Sequence, residues 1–104
     1  SAASDVYKRQ TMHNLDDSVL NSLEDSGYKD YIVHKTGHGL GLDVHEDPYI
    51  MRKNNELLEE GMVITIEPGL YKQGDLGVRI EDDVLITNDG CKSLTTFSKE
   101  LRII

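Results

Sequence analysis

Gly37-His38-Gly39-Leu40-Gly41-Leu42-Asp43-Val44-His45-Glu46-Asp47-Pro48 is the stretch on which the reading of this chain turns. Glycines at alternate positions remove side chains from around His38, so the backbone there can approach a neighbouring strand or a ligand closely. Pro48 stops any helix from running through the segment. His34 and His38 have the four-residue spacing of a helical zinc motif, but no glutamate follows the first histidine and the glycines oppose a helix. The glycines also fail the dinucleotide-binding fingerprint, which must open a helix.

Upstream, Leu15, Val19, Leu20 and Leu23 recur on one face, which predicts a helix over residues 15–26. Asp16 and Asp17 sit near its expected start, where the helix dipole favours negative charge, and Gly27 follows as a C-terminal cap. This helix reads as a cover for a sheet, with no chemistry of its own. Residues 28–34, with Tyr31, Ile32 and Val33, predict a short strand. The first ten residues lack an apolar core and read as a non-native leader, an adaptor scar foreign to the rest of the chain. The domain proper is therefore expected over residues 11–104.

Downstream, Asn54 and Asn55 mark a turn, and residues 57–60 predict a single helical turn. Residues 62–67 form a strong strand candidate that stops at Pro68-Gly69. Leu70 and Tyr71 continue in extended form, and residues 74–77 read as a loop. Residues 77–87 predict one strand or two closely joined ones. Asn88-Asp89-Gly90 is a hairpin signal, and residues 93–97 return as another strand. One helix followed by antiparallel strands places the chain in the α+β class.

The chain has 104 residues, of which 38% are hydrophobic and 29% charged, with a formal charge of −8. That balance argues against nucleic acid and anionic membranes as partners. It suits divalent cations, and a solvated acidic surface equally well. No apolar run approaches the roughly 20 residues that span a bilayer. A single cysteine, Cys91, forbids an intrachain disulfide and fits a reducing, cytoplasmic setting.

Two glutamates occupy unusual places. Glu67 ends an apolar strand, where it either reaches solvent past Pro68 or is buried. A buried carboxylate needs a cation, a metal or a proton. Glu81 shares a strand face with Arg79, which alone would make an exposed ion pair of little worth. Asp82 and Asp83 read as solvated neighbours.

Taken together, three ordered blocks at residues 34–48, 58–69 and 77–87 resemble the signatures of the pita-bread-fold metallopeptidases, in their Xaa-Pro aminopeptidase and prolidase branch. The resemblance covers nearly the whole chain and implies a partial pita-bread fold, a curved antiparallel sheet covered by a helix. It implies that residues 11–104 are the C-terminal half of the catalytic domain. In that family two aspartates, one histidine and two glutamates hold two divalent metals, manganese first, with cobalt or zinc as alternatives. By position His38, Glu67 and Glu81 resemble three of these ligands, Glu81 being the bridging one and Glu67 also a proton relay. His45 and His34 resemble substrate-side histidines, and Arg79 a buried arginine supporting the site. The aspartate ligands belong to a half that this sequence does not contain.

The implied reaction is hydrolysis of Xaa-Pro bonds at peptide N-termini by a hydroxide bridging two metals. The partner is a peptide with proline in second place, and the full-length assembly is a homodimer. On this reading the 104-residue chain is inactive alone. Three alternatives stand beside it: a methionine aminopeptidase, a non-catalytic binding module of the same fold, and a metal-free relative acting on small guanidino compounds.

Overall fold

The computed structural model describes residues 6–25, 27, 29–31, 36–96, 99 and 100. Helix α1 (Met12–Asp25) opens the domain and ends at Gly27, whose φ of +88° is the left-handed geometry of a glycine cap. It begins one turn earlier than its apolar stripe suggests, because Thr11 caps it: the Thr11 hydroxyl accepts the Asn14 N–H at 3.0 Å. Asp16 and Asp17 therefore lie beyond the first turn, and the dipole argument for them fails. Asp16 is instead buried, and Asp17 binds Arg52 at 2.8 Å and His13 at 3.1 Å.

The predicted strand at 28–34 is corrected where it is described, since Lys29–Tyr31 form a single 3-10 turn. The rest of that stretch, including His34, lies outside the described residues. Seven strands come after it: β1 (Gly37–Gly39), β2 (Glu46–Ile50), β3 (Val63–Ile66), β4 (Gly69–Lys72), β5 (Leu76–Arg79), β6 (Asp82–Thr87) and β7 (Gly90–Ser93). Five make an antiparallel sheet in the order β2-β1-β3-β6-β7, and β4 and β5 form a separate hairpin. Residues 77–87 are thus two strands that belong to two sheets. Residues 57–60 form no helical turn; Leu57 bridges to Thr11, and the Leu58 N–H donates to the Gln10 carbonyl at 2.8 Å. Strand β7 stops at Ser93, short of the predicted 93–97. There Leu94 donates to the Asp83 carbonyl and Thr95 Oγ1 accepts from the Asp83 N–H, which turns the chain off the ladder.

Alternation along the strands sorts the two sheet faces. Ile64, Ile66, Val84 and Ile86 point to the α1 side and pack with Met12, Leu15, Val19, Ile50 and Leu58 into one core. Val6 joins this core at 2% exposed, and the Arg9 N–H donates to the Leu58 carbonyl. Asp82 shares the core-facing register and is buried, so it is no solvated neighbour of Glu81. Its Oδ1 lies 3.0 Å from Lys99 Nζ, though poorly aligned for a hydrogen bond. The other face carries Thr65 and Asp83, paired across β3 and β6, and His38 beside Thr65. Among the described residues no helix is long and apolar enough to cross a membrane.

Candidate metal centre

Strand β1 is pressed so closely between its neighbours that side chains are excluded at Gly37 and Gly39. A Cβ on Gly37 would fall onto the Thr65 carbonyl, and one on Gly39 onto the Asp47 carbonyl. This approach sets His38, 8% exposed, against β3. Its N–H donates to Thr65 Oγ1 at 3.1 Å. The His38 ring is fixed as well, with Nδ1 lying 2.8 Å from the Gly39 carbonyl oxygen. A carbonyl can only accept, so Nδ1 carries the proton and Nε2 is turned outward.

Nε2 faces Glu67 Oε2 at 3.5 Å. The β3–β6 register, Thr65 opposite Asp83 and Ile66 opposite Asp82, carries on to bring Glu67 opposite Glu81. Glu81 titrates above its ordinary range. Removal from water is the largest cause, then the negative charges of Glu67 and Asp83, with His38 acting in the opposite direction. Glu81 remains at the exposed rim, so water screens much of this effect.

Two further groups frame the pair. Arg79 Nη1 lies 3.8 Å from Glu67 Oε1, and its guanidinium carbon stands 5.6 Å from the centroid of the Tyr71 ring, a cation–π distance. Arg79 is 41% exposed at its side chain and approaches Glu67, so in this chain it is neither buried nor paired with Glu81. The His45 ring meets that of His38 edge to face, centroids 4.6 Å apart. His45 rides on the loop of residues 41–45, which Glu46 ties down. Its Oε2 accepts the Asp43 N–H at 3.2 Å, and its carboxylate occupies the space a Gly41 Cβ would need.

His38, His45, Glu67, Arg79, Glu81 and Asp83 line one open cavity of about 470 Å³, with Leu42 and Val44 exposed at its mouth. Five of the six expected site residues therefore gather in one place; His34 lies outside the described residues. Sequence reasoning missed Asp83 and Tyr71. Asp83 was findable, because it lies two residues after Glu81 and so shares its face. Tyr71 carried no such signal, since only the β4–β5 pairing opposite Gly77 brings its ring under Arg79.

Among the described residues no three His, Cys, Asp or Glu side chains are drawn together tightly enough to enclose a metal ion. The donor set nevertheless fits one. An imidazole nitrogen faces a carboxylate oxygen, and Glu67 and Glu81 stand opposite each other. One nitrogen with several carboxylate oxygens suits manganese, cobalt or zinc.

Comparison with known proteins supports the same chemistry. Residues 1–88 match the profile of metallopeptidase family M24. The chain is 46% identical over 104 residues to an Xaa-Pro dipeptidase of Lactobacillus delbrueckii subsp. lactis, covering 99% of this chain and 28% of that protein. Among solved structures, the prolidase of Thermococcus sibiricus superposes with a TM-score of 0.90 at 45% identity, over 96% of this chain and 27% of that one. The Xaa-Pro dipeptidase of Bacillus anthracis gives 0.94 at 38% identity, over 99% and 29%. The chain spans little more than a quarter of the length of these relatives.

Proposed function

The chain belongs to metallopeptidase family M24, and from that premise we propose that it supplies part of the active site of an Xaa-Pro dipeptidase or aminopeptidase. Its fold is that of the matching part of the prolidases, an antiparallel sheet with one covering helix. His38, Glu67 and Glu81 are assigned as ligands of a divalent metal centre, manganese first. The observation that carries this is His38 Nε2 held 3.5 Å from Glu67 Oε2, with Glu81 lining the same cavity.

Bound divalent cations would lower the pKa of a shared water and polarise the scissile carbonyl. The chain's own residues do the rest. The Gly39 carbonyl fixes the His38 tautomer. Glu67 is placed to accept a proton and pass it to the leaving proline nitrogen. His45, exposed beside His38, is placed to hydrogen-bond the substrate at the bond being cut. Arg79, held by Tyr71, balances the charge on Glu67. His34 is assigned to the substrate side on its sequence block alone. The substrate is a peptide with proline in second place, and the full-length enzyme is a cytoplasmic homodimer.

The test uses a full-length protein carrying this segment. Glu81→Ala should lower Xaa-Pro dipeptide hydrolysis at least a thousandfold, and turnover at the parent rate would refute the assignment. The 104-residue chain alone should show no hydrolysis and only weak metal binding.

A further inference from the structure

We propose that Asp16 and Thr36 form a buried positioning pair that sets the backbone of His38 and Glu67, and through it the spacing of the candidate ligands. The importance of the pair rests on the metal-centre reading of those two residues.

Asp16 is 5% exposed and Thr36 2% exposed. The Thr36 hydroxyl donates to Asp16 Oδ1 at 2.5 Å, the short separation of a hydroxyl on a carboxylate. Thr36 is used at both ends, because its carbonyl accepts the Glu67 N–H at 2.7 Å. Two residues later the His38 N–H bonds Thr65 Oγ1, and Gly37 between them is pressed against the Thr65 carbonyl. Thr36 therefore joins three elements: α1 through its hydroxyl, the end of β3 through its carbonyl, and β1 through the chain. No other contact among those described ties α1 to both candidate ligand segments at once.

The position of Asp16 says what the pair is for. It neighbours Met12, Leu15 and Val19 among the buried residues of α1, where a leucine would extend the core. A buried carboxylate there is costly, and an apolar substitute of similar volume is often neutral or stabilising in such places. What the carboxylate adds is direction: it accepts from one hydroxyl in one orientation and so fixes the rotation of Thr36. Leucine would pack without setting where Glu67 begins its turn away from the sheet.

The test is amide hydrogen exchange on the metal-free 104-residue chain. The Glu67 amide is compared with that of Ile86, which bonds the Met62 carbonyl elsewhere in the fold. Thr36→Val keeps the volume and removes the bond, and Asp16→Leu removes it with an apolar side chain. Both should speed Glu67 exchange at least tenfold relative to Ile86. Thr36→Ser and Asp16→Asn keep donor and acceptor and should stay within threefold of the parent. A merely stabilising role would move both amides together, and that result overturns the proposal. So does unchanged Glu67 exchange in the apolar variants. Should neither apolar variant fold, the parent decides. A slowly exchanging Thr36 hydroxyl proton in its NMR spectrum supports the pair, and a freely exchanging one overturns it. Titration with Co²⁺ alone separates the two readings. If Co²⁺ binds the parent, Thr36→Val should weaken it at least fivefold, and equal affinity overturns the proposal. If Co²⁺ binds no form while Glu67 exchange still responds, the metal reading fails and the positioning pair stands.

Discussion

Glu81 stands opposite Glu67 at the ends of adjacent strands, and removal from water, with the charges of Glu67 and Asp83, raises the pKa of its carboxyl. This arrangement is adverse for the isolated fold, and the cost has a pH signature. The pKa of Glu81 is raised on folding, so the native state holds a proton that the unfolded chain has released. Stability is therefore lost as pH rises from the ordinary glutamate value of 4.5 through the raised one, and the loss is complete above it. With chelator present, Glu81→Gln should be more stable than the parent at pH 7 by about 0.5 kcal/mol, the scale of screened surface charge. The gain should vanish below pH 4.5. Denaturant titration across pH checks this, and a variant less stable than the parent at pH 7 would contradict it.

Gly37→Ala should be severely destabilising, by about 3 kcal/mol or more, because the added methyl overlaps the Thr65 backbone rather than a movable side chain. Gly90→Ala supplies the control. A Cβ there meets nothing within 4 Å, so its cost should stay within about 0.5 kcal/mol. Equal midpoints for both variants in urea would show that β1 is not pressed against β3.

Val6→Ala measures how far the segment before α1 belongs to the core. Val6 is 2% exposed, and truncation of a buried valine should cost about 1–2 kcal/mol. Thermal melts check it. An unchanged midpoint would mean that this segment is carried passively.

Burial pushes the Cys91 thiol above its ordinary value of 9.0. The thiolate is the reactive form, so alkylation by iodoacetamide at pH 8 should be several-fold slower in the folded chain than in urea. Equal rates would contradict the packing of Cys91 against the core.

The legible parts of this fold are those in which one local rule has no competitor. Apolar residues 63–66 gave β3, and Asn88-Asp89 gave the two-residue connection between β6 and β7, because Thr87 pairs with Gly90. Strand β2 was illegible. Glu46, Asp47 and Pro48 have poor strand propensity, and the element exists as an edge strand, where proline's missing N–H disturbs no second neighbour. The join of β5 to β6 was also hidden, since Val78, Ile80 and Val84 read as one apolar alternation and nothing local says that the chain changes sheets. At the site, the resemblance supplied His38, Glu67 and Glu81, and the strand register explains why they meet. The buried status of Asp82 and the exposure of Arg79 were misjudged for different reasons. Composition assigns charge to solvent, whereas burial along β6 follows the parity of each position; the resemblance implied a buried arginine, whereas β5, outside the main sheet, is exposed at every position.

The change of sheet between Arg79 and Asp82 has a mechanical meaning. Glu67 and Glu81 stand at the two points where the chain leaves the main sheet for the β4–β5 hairpin and returns from it. Tyr71 and Arg79 belong to that hairpin, whereas His38 lies on β1 between β2 and β3 of the main sheet. Any swing of the hairpin would thus shift the guanidinium against a fixed imidazole, with both glutamates acting as the pivots. Whatever touches the outer surface of the hairpin, where Leu76 and Val78 stand exposed, gains leverage over the centre without entering it.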